Sequence, residues 1–164
     1  MARSWWSAKI RRTGAYFHAR VAVQERTELG SWLSPVQVAL FDAMPQADRR
    51  HGLDVVADLR LAGSTDVDLL AAGLLHDCGK GPRVRFVHRV AWSLGQRYGA
   101  WIWRLAGHLP TFATGLARMR DHAMRSAELA AQAGCNPRTI ELIRNQEAPT
   151  DDAGRLLLAA DEAN

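Results

Sequence analysis

The residues best suited to chemistry are a histidine and an aspartate that stand together where an apolar run ends. The run that finishes at Leu75 is followed by His76, Asp77 and then Lys80, which lies between two glycines. A neutral imidazole and a carboxylate are good ligands for divalent first-row metals, and neighbouring residues at a helix end can both turn toward one point. The pair therefore predicts part of a metal site.

Two residues far from this pair in the chain could complete the site. The break at Gly63-Ser64 lies about twelve residues after His51 and about twelve before His76. If helices flank this break as a hairpin, both histidines lie about 18 Å from the turn and side by side. Asp161 follows two leucines at helical spacing, so it shares their buried face, where a metal would offset the cost of burying a carboxylate. A chance alignment of His51, and an Asp161 that simply faces water, remain open alternatives.

The segment after the pair is basic and aromatic. No Asp or Glu occurs between Cys78 and Arg120, and the cations there are Lys80, Arg83, Arg85, Arg89, Arg97, Arg104, Arg118 and Arg120. The aromatic residues of the same segment are Phe86, Trp92, Tyr98, Trp101, Trp103 and Phe112. Such a segment carries a positive field and can offer an anionic ligand guanidinium groups and stacking faces. The alternative is that the aromatics form core and the arginines face solvent.

Composition sets the broad class of protein. The chain has 164 residues, 48% of them hydrophobic, and a formal charge of +4, which favours one globular domain with a continuous core. No run approaches the roughly 20 apolar residues of a membrane span, and the first twelve residues lack the apolar centre of a secretory signal. Cys78 and Cys135 form no disulfide framework and no CxxC motif. We expect a cytoplasmic protein whose cysteines are small buried residues.

The hydrophobic spacing predicts an all-α fold with short connections and antiparallel helical hairpins. Ser34-Pro35 is a typical helix start, and Pro45 ends that helix. The predicted helices cover residues 36–44, 46–61, 65–77, 85–96, 100–106, 112–118, 121–133, 137–146 and 152–163. Residues 34–164 form the predicted helical domain. Residues 1–33 form a basic segment with Trp5 and Trp6, for which we expect a helix packed across the domain, an interfacial membrane helix or a partner-binding arm.

The ligand pattern resembles that of a known family. The motif order is His51, then His76-Asp77 followed by Gly79-Lys80, then Asp161. This order, the DRRH and LLHDCGK runs and the closing LLLAADEA are similar to the H…HD…D signature of the HD-domain superfamily of metal-dependent phosphohydrolases. The resemblance covers about residues 35 to 164. It implies an all-α HD-type bundle in which His51, His76, Asp77 and Asp161 hold one divalent ion, be it manganese, magnesium, iron, cobalt, nickel or zinc.

Further histidines bear on a second metal. Two-metal members of this superfamily carry additional histidines between the HD pair and the last aspartate. His122, in DHAMRSAELAA, is similar to the first of these, whereas Asn145, in IRNQE, stands where the second would be expected. Because an amide is a poor ligand for such ions, we expect one metal per chain, with His108 as a possible substitute ligand. His18 and His88 are interpreted as structural or surface residues.

The resemblance also implies an activity. It predicts hydrolysis of a small phosphate ester, possibly a nucleotide, by attack of a metal-activated water. Asp77 and Lys80 are the candidate catalytic residues, and Lys80, Arg83 and Arg85 are the candidates for binding phosphate oxygens. Of Arg49 and Arg50, at most one is expected to face the site, because adjacent helix positions diverge by about 100°.

Two other functions remain compatible with these residues. One is a metal-containing regulatory module with weak catalysis, whose basic and aromatic segment binds an anionic ligand such as nucleic acid or a lipid surface. The other is a di-iron oxygenase on the same scaffold, which would need two occupied metal sites. The sequence predicts neither the native metal nor the oligomeric state.

Overall fold

Helices account for all the regular structure in the part of the chain that is described. The computed structural model describes residues 19–109 and 112–164, and these ranges contain nine helices and no strand. The predicted all-α class is therefore confirmed. Within the same ranges no helix has both the length and the apolarity that a membrane span requires. The predictions for Trp5, Trp6 and His18 fall outside the described residues.

The helix bounds follow the sequence signals closely. The helices are α1 Val23–Leu29, α2 Pro35–Asp42, α3 Gln46–Leu61, α4 Val67–Leu75, α5 Phe86–Tyr98, α6 Trp101–Gly107, α7 Phe112–Gln132, α8 Pro137–Arg144 and α9 Asp152–Ala163. Helix α2 begins with a capping box, since the Ser34 hydroxyl accepts a hydrogen bond from the Gln37 backbone N–H at 3.3 Å and Gln37 Oε1 accepts one from the Ser34 N–H at 2.9 Å. Such reciprocal bonds satisfy donors that a helix start leaves free.

Several predicted bounds differ by one or two residues, and two differences bear on the site. Helix α4 ends at Leu75 rather than at residue 77, and His76 and Asp77 lie in the turns that follow. Residues 112–132 form one helix rather than two. No glycine or proline interrupts the stretch near Arg120, and Met119, His122 and Ser126 keep one buried face at helical spacing.

Helix α4 lies at the centre of the molecule. Its residues Leu69–Leu75 are all buried, and it packs against α2, α3, α8 and α9. The core around it includes Phe41, Leu59, Ile143 and Leu157. Leu29 and Leu33 belong to the same core, so the packing continues across the boundary that the sequence suggested between residues 33 and 34. Because α4 is enclosed on several sides, the residues that follow it are held at the edge of the core.

Candidate metal centre

Three helices bring one ligand atom each to a common point. His51 comes from α3, His76 follows the last residue of α4, and Asp161 comes from α9. One ligand atom from each of the three side chains lies within 4.8 Å of the other two. His51 Nε2 is 2.8 Å from Asp161 Oδ1, and His76 Nε2 is 3.4 Å from the same oxygen. This spacing can hold a metal ion, because ligands that share an ion lie a few ångströms apart.

A glycine permits the close approach of α3 and α4 beside the histidines. A Cβ atom at position 52 would lie 2.5 Å from the backbone oxygen of Leu74. Only a residue without a side chain therefore allows the two helices to pack this closely. The rings of His51 and His76 are 5.1 Å apart, centroid to centroid, as a consequence.

A second glycine allows the turn that follows His76 and Asp77 to pack closely against α7. The Gly79 backbone N–H donates to the Ser126 hydroxyl of α7 at 2.8 Å. A Cβ on Gly79 would lie 2.5 Å from the backbone oxygen of His122. The turn is thus pressed against α7, and His122 is brought to the side of Asp77.

Backbone contacts define the protonation of two histidines. His76 Nδ1 lies 2.9 Å from the Gly73 carbonyl oxygen, and His122 Nδ1 lies 2.7 Å from the Met119 carbonyl oxygen. From these partners we assign the proton of each neutral ring to Nδ1, where it is donated to the carbonyl. In the neutral rings each Nε2 then carries the lone pair, and both Nε2 atoms lie near Asp77 Oδ1, at 3.5 Å for His76 and 3.6 Å for His122. A histidine held in this way is typical of metal ligation.

Three acceptor atoms lie close together around Asp77 when His76 and His122 are neutral. Asp77 Oδ1 lies 3.5 Å from His76 Nε2 and 3.6 Å from His122 Nε2. Within the described ranges, neither His76 Nε2 nor Asp77 Oδ1 makes a hydrogen bond, although both are buried. Buried acceptors without a donor are costly. A divalent cation among them would remove that cost, so the donor set fits such an ion.

The local field favours positive charge. Burial by itself would lower the pKa of His76, but the nearby carboxylates of Asp77 and Asp161 outweigh burial and raise it to about 9. Burial opposes ionisation of Asp77, yet Lys80 and the neighbouring histidines hold its pKa well below the ordinary value. The same groups that stabilise an imidazolium would attract a metal ion.

Asp77 divides its two oxygens between two kinds of contact. Its Oδ2 forms an ion pair with Lys80 Nζ, while its Oδ1 faces the histidines. His122 keeps a lowered pKa because of burial and of the charge of Lys80. At neutral pH His122 is therefore a neutral ring with a free lone pair at Nε2.

A cavity of about 380 Å³ opens beside these atoms. Its polar wall contains His51, Asp77, His122 and Asp161, and its cations are Lys80, Arg50 and Arg89. The residues of α5 that line the opposite wall are Phe86, Arg89, Val90, Trp92, Ser93 and Gln96. The carboxylates of the lining are Asp48, Asp54, Asp77, Glu147, Asp161 and Glu162. They outnumber the three cations, so a small anionic ligand would depend here on the positive charge of a bound metal ion.

Not every residue proposed from the sequence reaches this cavity. Arg83 and Arg85 are exposed and do not line it; in their place Arg89 and Arg50 do. Arg89 donates to the buried carboxylate of Asp48 at 2.5 Å. The sequence placed Arg89 in the basic segment but held no signal that separated it from Arg83 and Arg85.

The two arginines beside His51 diverge as expected. Arg50 lines the cavity and Arg49 does not. Arg50 is held by Glu25, whose Oε1 lies 2.8 Å from Arg50 Nη1, and by Asp54. Its guanidinium therefore reaches the cavity in a defined orientation.

Two of the residues considered for a second metal do not line the cavity. His108 is exposed at the end of α6, on the face that points away from α5, and does not line the cavity. Asn145 caps the end of α8 and does not line it either, whereas Gln146 and Glu147 do. Gln146 donates from Nε2 to the His76 carbonyl oxygen at 3.2 Å. Of the candidate second-site residues, the structure brings only His122 to the HD pair.

Comparisons with known proteins gave no relative. No model of a protein family matches the chain, and neither a curated protein nor a solved structure matches it.

Proposed function

We propose that this protein is a metal-dependent phosphohydrolase that acts on a small phosphate ester, with its helices arranged as an HD-type bundle. The observation that carries the proposal is that ligand atoms of His51, His76 and Asp161 lie within 4.8 Å of one another, with Asp77 Oδ1 3.5 Å from His76 Nε2. The sequence resemblance independently selects the same four residues.

The chain's own residues supply the other requirements of the reaction. Lys80, Arg50 and Arg89 line the cavity and offer N–H donors to the phosphate oxygens, whose charge increases in the transition state. A divalent ion, when bound, would act as a Lewis acid that lowers the pKa of water and withdraws charge from a phosphoryl oxygen. His51, His76, Asp77 and Asp161 would hold it.

Asp77 and His122 are suited to orient the attacking water. Asp77 Oδ1 makes no hydrogen bond within the described part of the chain, and it can accept one from a water molecule. His122 Nε2 lies 3.6 Å from this oxygen and carries a lone pair, so it can accept the proton that the water loses. Lys80 keeps Asp77 ionised, which preserves the carboxylate for this role.

Phosphatase assays on Asp77→Ala test this proposal. We expect the wild type to hydrolyse p-nitrophenyl phosphate or members of a panel of phosphorylated metabolites, nucleotides included, only with added manganese, magnesium, cobalt or nickel. Asp77→Ala should lose at least about a hundredfold of this activity. His108→Ala, at an exposed position outside the cavity, is the matched control and should keep it.

Activity that survives Asp77→Ala would overturn the proposal. Metal binding without turnover of any compound would instead favour a regulatory module with a structural metal. That alternative rests on Asn145, which stands where the resemblance implies an imidazole and which does not line the cavity. Elemental analysis that finds two irons per chain would favour the oxygenase.

A further inference from the structure

Helix α6 exposes an apolar and basic face to solvent. Trp101, Arg104, Leu105 and His108 follow helical spacing along its outer side and are all exposed. The exposed fraction is 60% for Trp101 and 67% for Leu105. Tyr98 and Leu109, at either end, are 48% and 54% exposed. We call the group Tyr98, Trp101, Arg104, Leu105 and Leu109 the α6 surface.

Contacts on the inner side of α6 determine which of its residues face solvent. The Trp103 ring stacks on the Trp92 ring, with centroids 4.6 Å apart and an interplanar angle of 15°. Trp103 Nε1 also donates to the Trp92 carbonyl oxygen at 3.2 Å. Because Trp103 holds the helix against α5, Trp101 and Leu105 cannot turn inward without breaking the stack. Their exposure follows from this packing.

The stretch of sequence that contains the α6 surface carries charge of one sign. The chain contains no Asp or Glu from residue 79 to residue 120. The Arg97 guanidinium lies 5.4 Å from the centre of the Tyr98 ring, and Arg104 lies on the surface itself. Among the described residues, neither of these arginines has a carboxylate in a salt bridge. A partner of this surface must therefore combine apolar groups with negative charge.

We propose that the α6 surface docks the protein on an anionic phospholipid membrane. Trp and Tyr side chains favour the headgroup region, leucines favour the adjoining acyl region, and Arg97 and Arg104 would face lipid phosphates. A nucleic acid would match the arginines but would leave Leu105 and Leu109 in water. The chain's own first 18 residues carry Arg3, Lys9, Arg11 and Arg12 and no acidic residue, so charge repulsion disfavours them as the occupant.

Vesicle sedimentation with the full chain tests the docking proposal. The vesicles contain phosphatidylcholine alone or phosphatidylcholine mixed with phosphatidylglycerol, and no divalent salt is added, so that free ions do not bridge carboxylates to lipid. We expect the wild type to sediment with the anionic vesicles only. The double variant Trp101→Glu and Leu105→Glu should reduce this partitioning by about tenfold or more.

The matched control places the same charges on exposed apolar residues elsewhere. Val23 and Leu61 are 77% and 85% exposed and lie outside the α6 surface, so Val23→Glu with Leu61→Glu should reduce binding far less. Circular dichroism confirms that each variant is folded. Absence of wild-type binding, an equal loss in both double variants, or binding to RNA but not to vesicles would overturn the proposal. The measurement does not involve the metal centre, so its outcome is separate from that of the phosphatase assay.

Discussion

At the scale of single residues, Asp77 is the group on which the candidate centre depends. It is 1% exposed, and a buried carboxylate is tolerated only if its charge is balanced. Lys80 balances it through Oδ2, while Oδ1 remains directed at His76 and His122. Lys80 therefore contributes to the site first by keeping Asp77 charged. Its contact with a phosphate oxygen would be an additional role.

The thiol next to Asp77 yields a prediction about pH. Burial raises the pKa of Cys78 from 9.0 to about 12. The folded chain thus retains a proton that the unfolded chain loses, so this contribution to stability is complete below about pH 9 and decreases as the pH rises toward 12. At pH 8 the native thiol should react with a disulfide reagent at least about a hundredfold more slowly than the unfolded thiol.

The measurement is a timed absorbance assay on Cys135→Ser, which leaves Cys78 as the one thiol in the sequence. The same assay in concentrated guanidinium chloride gives the unfolded rate. Equal rates in the two conditions would contradict the burial of this thiol.

At the scale of helices, the spacing between α3 and α4 determines whether His51 and His76 can meet. Gly52→Ala should destabilise the protein by about 2 kcal/mol, because the new methyl group would overlap the Leu74 carbonyl and force the helices apart. The gain in helix propensity from alanine is smaller, about 1 kcal/mol. Urea unfolding measures the net change in the free energy of unfolding.

Gly107→Ala is the matched control for that substitution. A Cβ at Gly107 would meet no described atom within 4 Å, so Gly107→Ala should leave stability unchanged or raise it by up to about 1 kcal/mol through helix propensity. If Gly52→Ala proved as harmless as Gly107→Ala, the close approach of α3 and α4 would not constrain the fold. Metal binding by Gly52→Ala should also weaken, since its histidines would separate.

At the scale of the whole molecule, the candidate centre connects distant parts of the chain. His51 and Asp161 are 110 residues apart in sequence, and His76 lies at the end of the central helix. A ligand that binds only the folded state stabilises it by mass action. An ion at this point would therefore stabilise the packing of α3, α4 and α9 together.

Removal of metal should consequently lower the melting temperature. Adding manganese to chelated protein at about a hundred times its dissociation constant should stabilise it by about 2.7 kcal/mol, which corresponds to roughly 5–10 °C for a chain of this size. Asp161→Asn should lose most of this rise in melting temperature, because the substitution removes a charged ligand on α9.

Asp121→Asn provides the control for the thermal measurement. Asp121 is an exposed aspartate that pairs with its neighbour Arg120. Its substitution by asparagine should leave the metal-induced shift in melting temperature unchanged. A shift in Asp161→Asn as large as that of the wild type would show that the ion binds elsewhere.

Much of the fold could be predicted from sequence because helices depend on neighbouring residues. Helix α3 covers residues 46–61 as predicted, since Pro45 and the Gly63-Ser64 break lie beside it. The proximity of His51 to His76 also followed from the hairpin, because helix rise alone sets their heights. The single helix α7 was missed, because the sequence there contains no local signal that decides between one helix and two.

The amino-acid sequence by itself determined the all-α class and the small set of residues from which a metal centre could be built. Tertiary structure alone decided which cations and histidines reach the cavity: Arg89 lines it in place of Arg83 and Arg85, and His108 faces away. The physical reason is direction. The direction of a side chain depends on how its helix packs against the rest of the molecule. The position of α5 and α6 depends on contacts such as the stack of Trp92 on Trp103.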